Sequence, residues 1–162
     1  QLQGGQVTYH EHQAHNRRGL ALWLLAATLA ICLAAPVGFS AAQAQAAVSP
    51  YVRTLLAQIN QYRQDNGLTP LVLDPALTRA ARTHSFSMFQ QKRLSHLRFN
   101  ERFQQTNSRL CVENIGRGAT NPRKQFDNWR RSGAHDQNLL VEEIRRAGIA
   151  EVGGFVTFFA CQ

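Results

Sequence analysis

The sequence predicts an α+β domain with a small antiparallel sheet, on three observations. Apolar residues recur at helical spacing just after residue 50. Asp74-Pro75 and Asn121-Pro122 each pair a capping side chain with a proline suited to the first helical position. The chain closes on two β-rich runs joined by Gly153-Gly154, a hairpin turn. Helices and strands intermix without a βαβ rhythm or internal repeats, which leaves the mixed class.

In order along the chain, Val52, Leu55, Leu56, Ile59 and Tyr62 form one apolar stripe of a helix over residues 51–66, with Gly67 as its stop. Leu68 to Leu73 is a short extended link pinned by Pro70. Asp74 then caps a second helix whose inner face holds Leu77, Ala80, Ala81, His84 and Met88, and which ends before Ser95. The Phe86, Met88 and Phe89 cluster on it reads as core packing. From Leu94 to Leu110 the periodicity fails, giving a loop with a short helix around Glu101 to Gln105. Cys111 to Ile115 reads as a short strand entering a Gly116-Arg117-Gly118 turn. Asn121 caps a third helix with Phe126 and Trp129 inward. A tight turn at Gly133 leads to His135, and Asn138 to Ile144 forms one more helical turn. Gly148 to Val152 and Phe155 to Ala160 are the closing hairpin.

Residues 1–46 read as a signal peptide with an N-terminal extension, and 47–162 as the folded domain. Arg17-Arg18 flank an uncharged apolar run, Gly19 to Ala35, and overlapping A-x-A sites follow at Ala42 to Ala46. The alternative is an uncleaved anchor, but the run is short of the roughly 20 residues a spanning helix needs, and Pro36 ends it. The expected protein is secreted, extracellular or periplasmic, with no stable anchor after cleavage.

Residues 47–162 keep 16 of the 18 basic and nine of the ten acidic side chains, a net charge of +7. The arginines are scattered and no nucleic-acid motif accompanies them, so a solvated basic surface is expected and a nucleic-acid partner is not. Two cysteines remain, Cys111 and Cys161. An even count in an oxidising compartment points to one disulfide; the alternative is two separate buried thiols.

Three short polar motifs carry the chemistry: Ser95-His96, Glu113-Asn114-Ile115, and Ser132-Gly133-Ala134-His135 followed by Asn138-Leu139. Only three histidines lie beyond the leader, and two of them fall in these motifs. Two imidazoles with one or two carboxylates can build a divalent-metal site or an acid/base pair when the fold joins them. The bland reading is two unrelated surface histidines and a glutamate binding a backbone amide. His84, on an apolar helix face, reads as a hydrogen-bonded core histidine. Ser132 lacks an elbow motif or oxyanion loop and is not read as a nucleophile.

The ordered set of stretches resembles the CAP superfamily in its short bacterial form: cysteine-rich secretory proteins, antigen 5 and plant pathogenesis-related proteins. The matching pieces are Leu56 to Leu73, Asp74 to Met88, Ser95-His96, Glu113 to Ile115, Phe126 to Trp129, Ser132 to Leu140 and Gly148 to Ala160. The resemblance implies an α-β-α sandwich and a cleft lined by two histidines and two acidic residues. His96, Glu113 and His135 take three of these places, and Glu101, five residues after His96, takes the fourth. It further implies that His96 and His135 bind a divalent metal, zinc by ligand type, with a lipid or cell-envelope component as partner. Asp136 stands where many bacterial members carry arginine, and the resemblance is to the short form, in which the cysteine-rich second domain of the animal proteins is not expected. The resulting expectation is a secreted, non-enzymatic binding domain; the alternative is a weak metal-dependent hydrolase or peptidase using Glu113 to activate water.

Overall fold

The computed structural model describes residues 6–8, 48–118 and 120–162. Apart from 6–8, the leader assigned to residues 1–46 lies outside the described residues. Five helices, α1 (Pro50–Asp65), α2 (Pro75–Gln91), α3 (Phe99–Gln104), α4 (Pro122–Arg130) and α5 (Gly133–Leu139), accompany five strands. The strands are β1 (Gln6–Thr8), β2 (Val72–Leu73), β3 (Leu110–Arg117), β4 (Arg146–Val152) and β5 (Phe155–Cys161), in the order β1-β3-β5-β4-β2. All neighbours are antiparallel except β2 and β4, which run parallel. The segment read as a short extended link around Pro70 therefore supplies an edge strand. Asn60 of α1 clamps it, donating to the Leu71 carbonyl at 2.9 Å and accepting from the Leu71 amide at 2.8 Å.

The strand period of two divides the core into two layers. Val112, Ile149, Val156, Phe158 and Ala160 cluster with Leu55 and Ile59 of α1, Phe126 and Trp129 of α4, and Leu139 of α5. Cys111, Ala150, Phe159 and Cys161 cluster with Leu77 and Ala81 of α2 and with Phe99 and Phe103 of α3. This is the helix–sheet–helix sandwich expected from the resemblance.

The helix starts follow the cap chemistry. Asp74 Oδ1 accepts from the amides of Ala76 and Leu77 at 2.7 and 2.9 Å, and Asn121 Oδ1 from that of Arg123 at 2.8 Å. The hairpin turns at Gly153 and Gly154, both at positive φ (56° and 82°), as the tight turn requires. Gly148 allows α2 to lie on the sheet: a Cβ there would sit 2.0 Å from the Leu77 carbonyl carbon. Cys111 and Cys161 face each other across β3 and β5, and their sulfurs are bonded at 2.09 Å.

Three local expectations are corrected. No tight turn precedes His135: Gly133–Leu139 is already helix α5, opened by the Asp136 amide bonding the Ser132 carbonyl at 2.8 Å, and 140–145 is loop. Strand β3 continues through Gly116 and Arg117 because β5 offers partners as far as Phe155. Phe86 is 48% exposed and contributes little to the core, whereas Met88 is buried.

Candidate functional site

Alternation along β3 sends Glu113 toward the α2–α3 layer and Asn114 toward the α4–α5 layer, so the E-N-I motif serves both faces of the sheet. Glu113 is fully buried. A buried carboxylate demands charge and hydrogen-bond partners, and it has them. Arg102 of α3 grips it with a forked contact, Nη2 donating to Oε2 at 2.7 Å and to Oε1 at 2.9 Å, and Nε to Oε2 at 3.0 Å. His96 Nδ1 donates to Oε1 at 2.9 Å. His84, from α2, lies 3.6 Å from the same oxygen and bonds the Ser95 carbonyl through Nε2 at 2.7 Å. The Ser95-His96 loop is thereby held from two sides, and His84 is the buried, bonded histidine expected of it.

On the other face, Asn114 Nδ2 donates to the His135 carbonyl at 2.9 Å. Asn138 Nδ2 donates to Asn114 Oδ1 at 2.9 Å, tying the two motifs together. Tyr62 Oη donates to Asp136 at 3.0 Å and fixes the outer side of α5 to α1. The Nε2 atoms of His96 and His135 are buried and have no hydrogen-bond partner among the described residues. His135 lines a cavity of about 720 Å³ with Leu94, Gly116, Arg117, Gln125 and Trp129. His96 lines a hollow of about 510 Å³ with Lys92, Arg93, Leu94 and Arg117. The two share Leu94 and Arg117 as a common wall.

Glu101 is placed elsewhere. Its half-exposed carboxylate pairs with Arg98 at 2.6 Å and edges a separate groove of about 510 Å³ between α2 and α3, a groove lined by His84 but by neither His96 nor His135. The charged α3 side chain that does reach the site is Arg102, one position along, which the sequence reading missed. A buried glutamate needs a cation, but several arginines surround Glu113 in sequence and spacing alone does not select one. Gln125, 2% exposed and lining the cavity beside His135, is a further buried polar residue the sequence did not single out.

Burial pushes the His84 imidazole below its ordinary value; Glu113 opposes that shift and Arg102 adds to it. Burial lowers His135 likewise, with His96 as the second cause. Above the ordinary histidine value of about 6.5 both folded and unfolded chains hold neutral rings, and the stability is intact. Below it the unfolded chain takes up protons that the folded chain resists, so stability falls with pH until the depressed folded-state values are passed. The urea midpoint is expected to drop between about pH 7 and pH 5, and His84→Gln, which keeps a donor for the Ser95 carbonyl, should flatten that drop. An unchanged slope in the variant would remove His84 from this account.

The model of the cysteine-rich secretory protein family, CAP, matches residues 56–161. The chain belongs to this family. Within it, the chain is 28% identical over 116 residues to the uncharacterized protein YkwD of Bacillus subtilis, covering 67% of this chain and 45% of YkwD. The chain thus spans less than half the length of that relative. Its fold resembles that of an extracellular protein containing an SCP domain from Bacillus anthracis, with a TM-score of 0.65 and 23% identity over 68% of this chain and 39% of that one. It also resembles an outer surface protein of Borrelia burgdorferi, with a TM-score of 0.62 and 15% identity over 69% of this chain and 92% of the other. At these identities the likeness concerns the fold. The same layered α+β architecture is present in this CAP domain.

Proposed function

We propose that this CAP domain is an extracytoplasmic, non-enzymatic binding module whose His96–His135 cleft takes a divalent ion, zinc by donor type, and a lipid or cell-envelope ligand. The observation that carries the reading is the pair of buried Nε2 atoms without a hydrogen-bond partner among the described residues. Leaving such atoms unmet is costly, and a neutral imidazole nitrogen is a favoured zinc ligand. The donor set fits. With Nδ1 committed to Glu113, Nε2 is the His96 nitrogen left to face an ion, and the carboxylate orients the ring. Burial favours the neutral form of His135. No group of three or more His, Cys, Asp or Glu side chains suited to a metal exists among the described residues, so two imidazoles would hold the ion and leave positions for ligand atoms. A bound zinc would supply a positive, Lewis-acidic point for an anionic or carbonyl oxygen.

The binding reading is preferred to the hydrolase alternative because Glu113 is engaged. Both its oxygens accept from Arg102, one also from His96, and the side chain is fully buried. A water-activating base needs a free lone pair toward the reacting water. Placement outside the cytoplasm is supported by the extracellular and outer-surface relatives and by the leader pattern. No helix among the described residues is long and apolar enough to cross a membrane.

Zinc titration of wild type, His96→Ala and His135→Ala tests the site. Wild type is expected to bind one ion, each variant to lose measurable binding with its circular dichroism unchanged, and affinity to fall as the imidazoles protonate in acid. Unchanged binding in either variant would remove the metal site. Chelator-sensitive hydrolysis in an activity screen would overturn the non-enzymatic half of the reading.

A further inference from the structure

Gln125 occupies an unusual position. It lies in the first turns of α4, 2% exposed, among residues that otherwise enter the apolar core. Its Oε1 is buried with no hydrogen-bond partner among the described residues, although it lines the cavity beside His135. The amide lies close over Gly116: a Cβ at 116 would sit 2.3 to 2.5 Å from its terminal atoms. Only glycine at that strand position lets the amide come so near β3. A purely structural amide would be bonded to its neighbours, since an unmet buried acceptor costs about 1–3 kcal/mol.

The wall shared by the two hollows is cationic. Arg117 is steadied by donating to the Lys92 carbonyl at 3.0 Å and by lying 5.0 Å from the centre of the Phe155 ring. It makes no ion pair with a carboxylate among the described residues, and neither hollow is lined by an Asp or Glu. Lys92 and Arg93 stand beside it in the His96 hollow. An amide offers one acceptor and two donors, the complement of a secondary amide, while an unpaired guanidinium matches a carboxylate.

We propose that the cavity beside His135 binds the C-terminal end of a peptide, or an N-acylated amino acid of the same chemistry, with Gln125 reading the secondary amide and Arg117 the terminal carboxylate. This rests on the cleft being a binding site and names the ligand class it takes. A cavity of about 720 Å³ has room for two residues, with Trp129 as an apolar wall. N-acetylglucosamine presents the amide without a carboxylate and leaves Arg117 without a role.

The test is calorimetric titration of the purified protein with N-acetyl-alanyl-alanine, its C-terminal amide, N-acetylalanine and N-acetylglucosamine. The free acid is expected to bind saturably and its amide at least about ten-fold more weakly, the loss of one charge-assisted bond. Binding of N-acetylalanine as tight as that of the dipeptide would assign the site to free acylated amino acids; tighter dipeptide binding assigns it to peptide ends. Arg117→Gln should bring the acid down to the level of the amide. Gln125→Leu should weaken both, and Gly116→Ala, which displaces the amide while keeping Gln125, should do the same. Equal binding of acid and amide, no saturable binding of the acid, preference for the sugar, or wild-type affinity in Gln125→Leu would each overturn the proposal. Zinc titration of the same variants separates the two ideas: zinc binding without peptide binding defeats this inference alone, and peptide binding without zinc binding defeats only the metal site.

Discussion

Arg102→Met is expected to destabilise the domain by about 3–5 kcal/mol, the range for removing one partner of a buried ion pair. Glu113 is fully buried and Arg102 is only 11% exposed, so the carboxylate left behind gains little water in place of its three guanidinium contacts. The damage should spread, because His96 depends on Glu113 for its orientation and Arg102 Nη1 also bonds the Leu97 carbonyl at 2.9 Å. Combining Arg102→Met with Glu113→Gln removes both charges and should recover much of the stability. Urea unfolding of wild type, the two single variants and the double variant measures this as a thermodynamic cycle. Strictly additive losses would show that the pair is not a unit, and the view of Glu113 as an engaged structural anchor would fail with it.

Reduction of Cys111–Cys161 is expected to cost about 4 kcal/mol by the chain-entropy account, since the bond closes a loop with a sequence separation of 50. The native sheet needs no rearrangement to lose the bond. Cys111 and Cys161 already face each other in the β3–β5 ladder, and the reduced sulfurs stay buried in the layer under α2 and α3. The effect should therefore appear as a lower unfolding midpoint with unchanged circular dichroism. Thermal or urea unfolding with and without dithiothreitol checks it, with Cys111→Ala/Cys161→Ala as a reductant-free comparison. An unchanged midpoint on reduction would refute the entropic role.

Much of the fold was legible locally, and the reasons are local. Asp74 and Asn121 accept the amides that their cap positions predict, and Gly153-Gly154 turns where positive φ is needed. The stripe of Val52, Leu55 and Ile59 is one buried helix face because a 3.6-residue period cannot place those side chains anywhere else. Where the reading failed, a distant partner had decided the outcome. Val72 and Leu73 are strand because β4 runs beside them, and Gly116 and Arg117 because β5 does. No propensity in a two-residue link or a glycine-arginine pair records a neighbour more than 30 residues away.

The site divides along the same line. The sequence by itself determined the residue types and their order: His96, Glu113-Asn114 and His135 with Asn138, the family they mark, and two cysteines to pair. Only the tertiary structure decided their roles. It gave Glu113 to Arg102 and left Glu101 with Arg98 on another groove. It joined the motifs through Asn114 and Asn138, and placed Gln125 against Gly116. The physical reason is burial. A charge or amide taken from water must find its partner in three dimensions, and that choice depends on which face of β3 each side chain meets and which helix covers it, neither of which is written in the spacing of the residues.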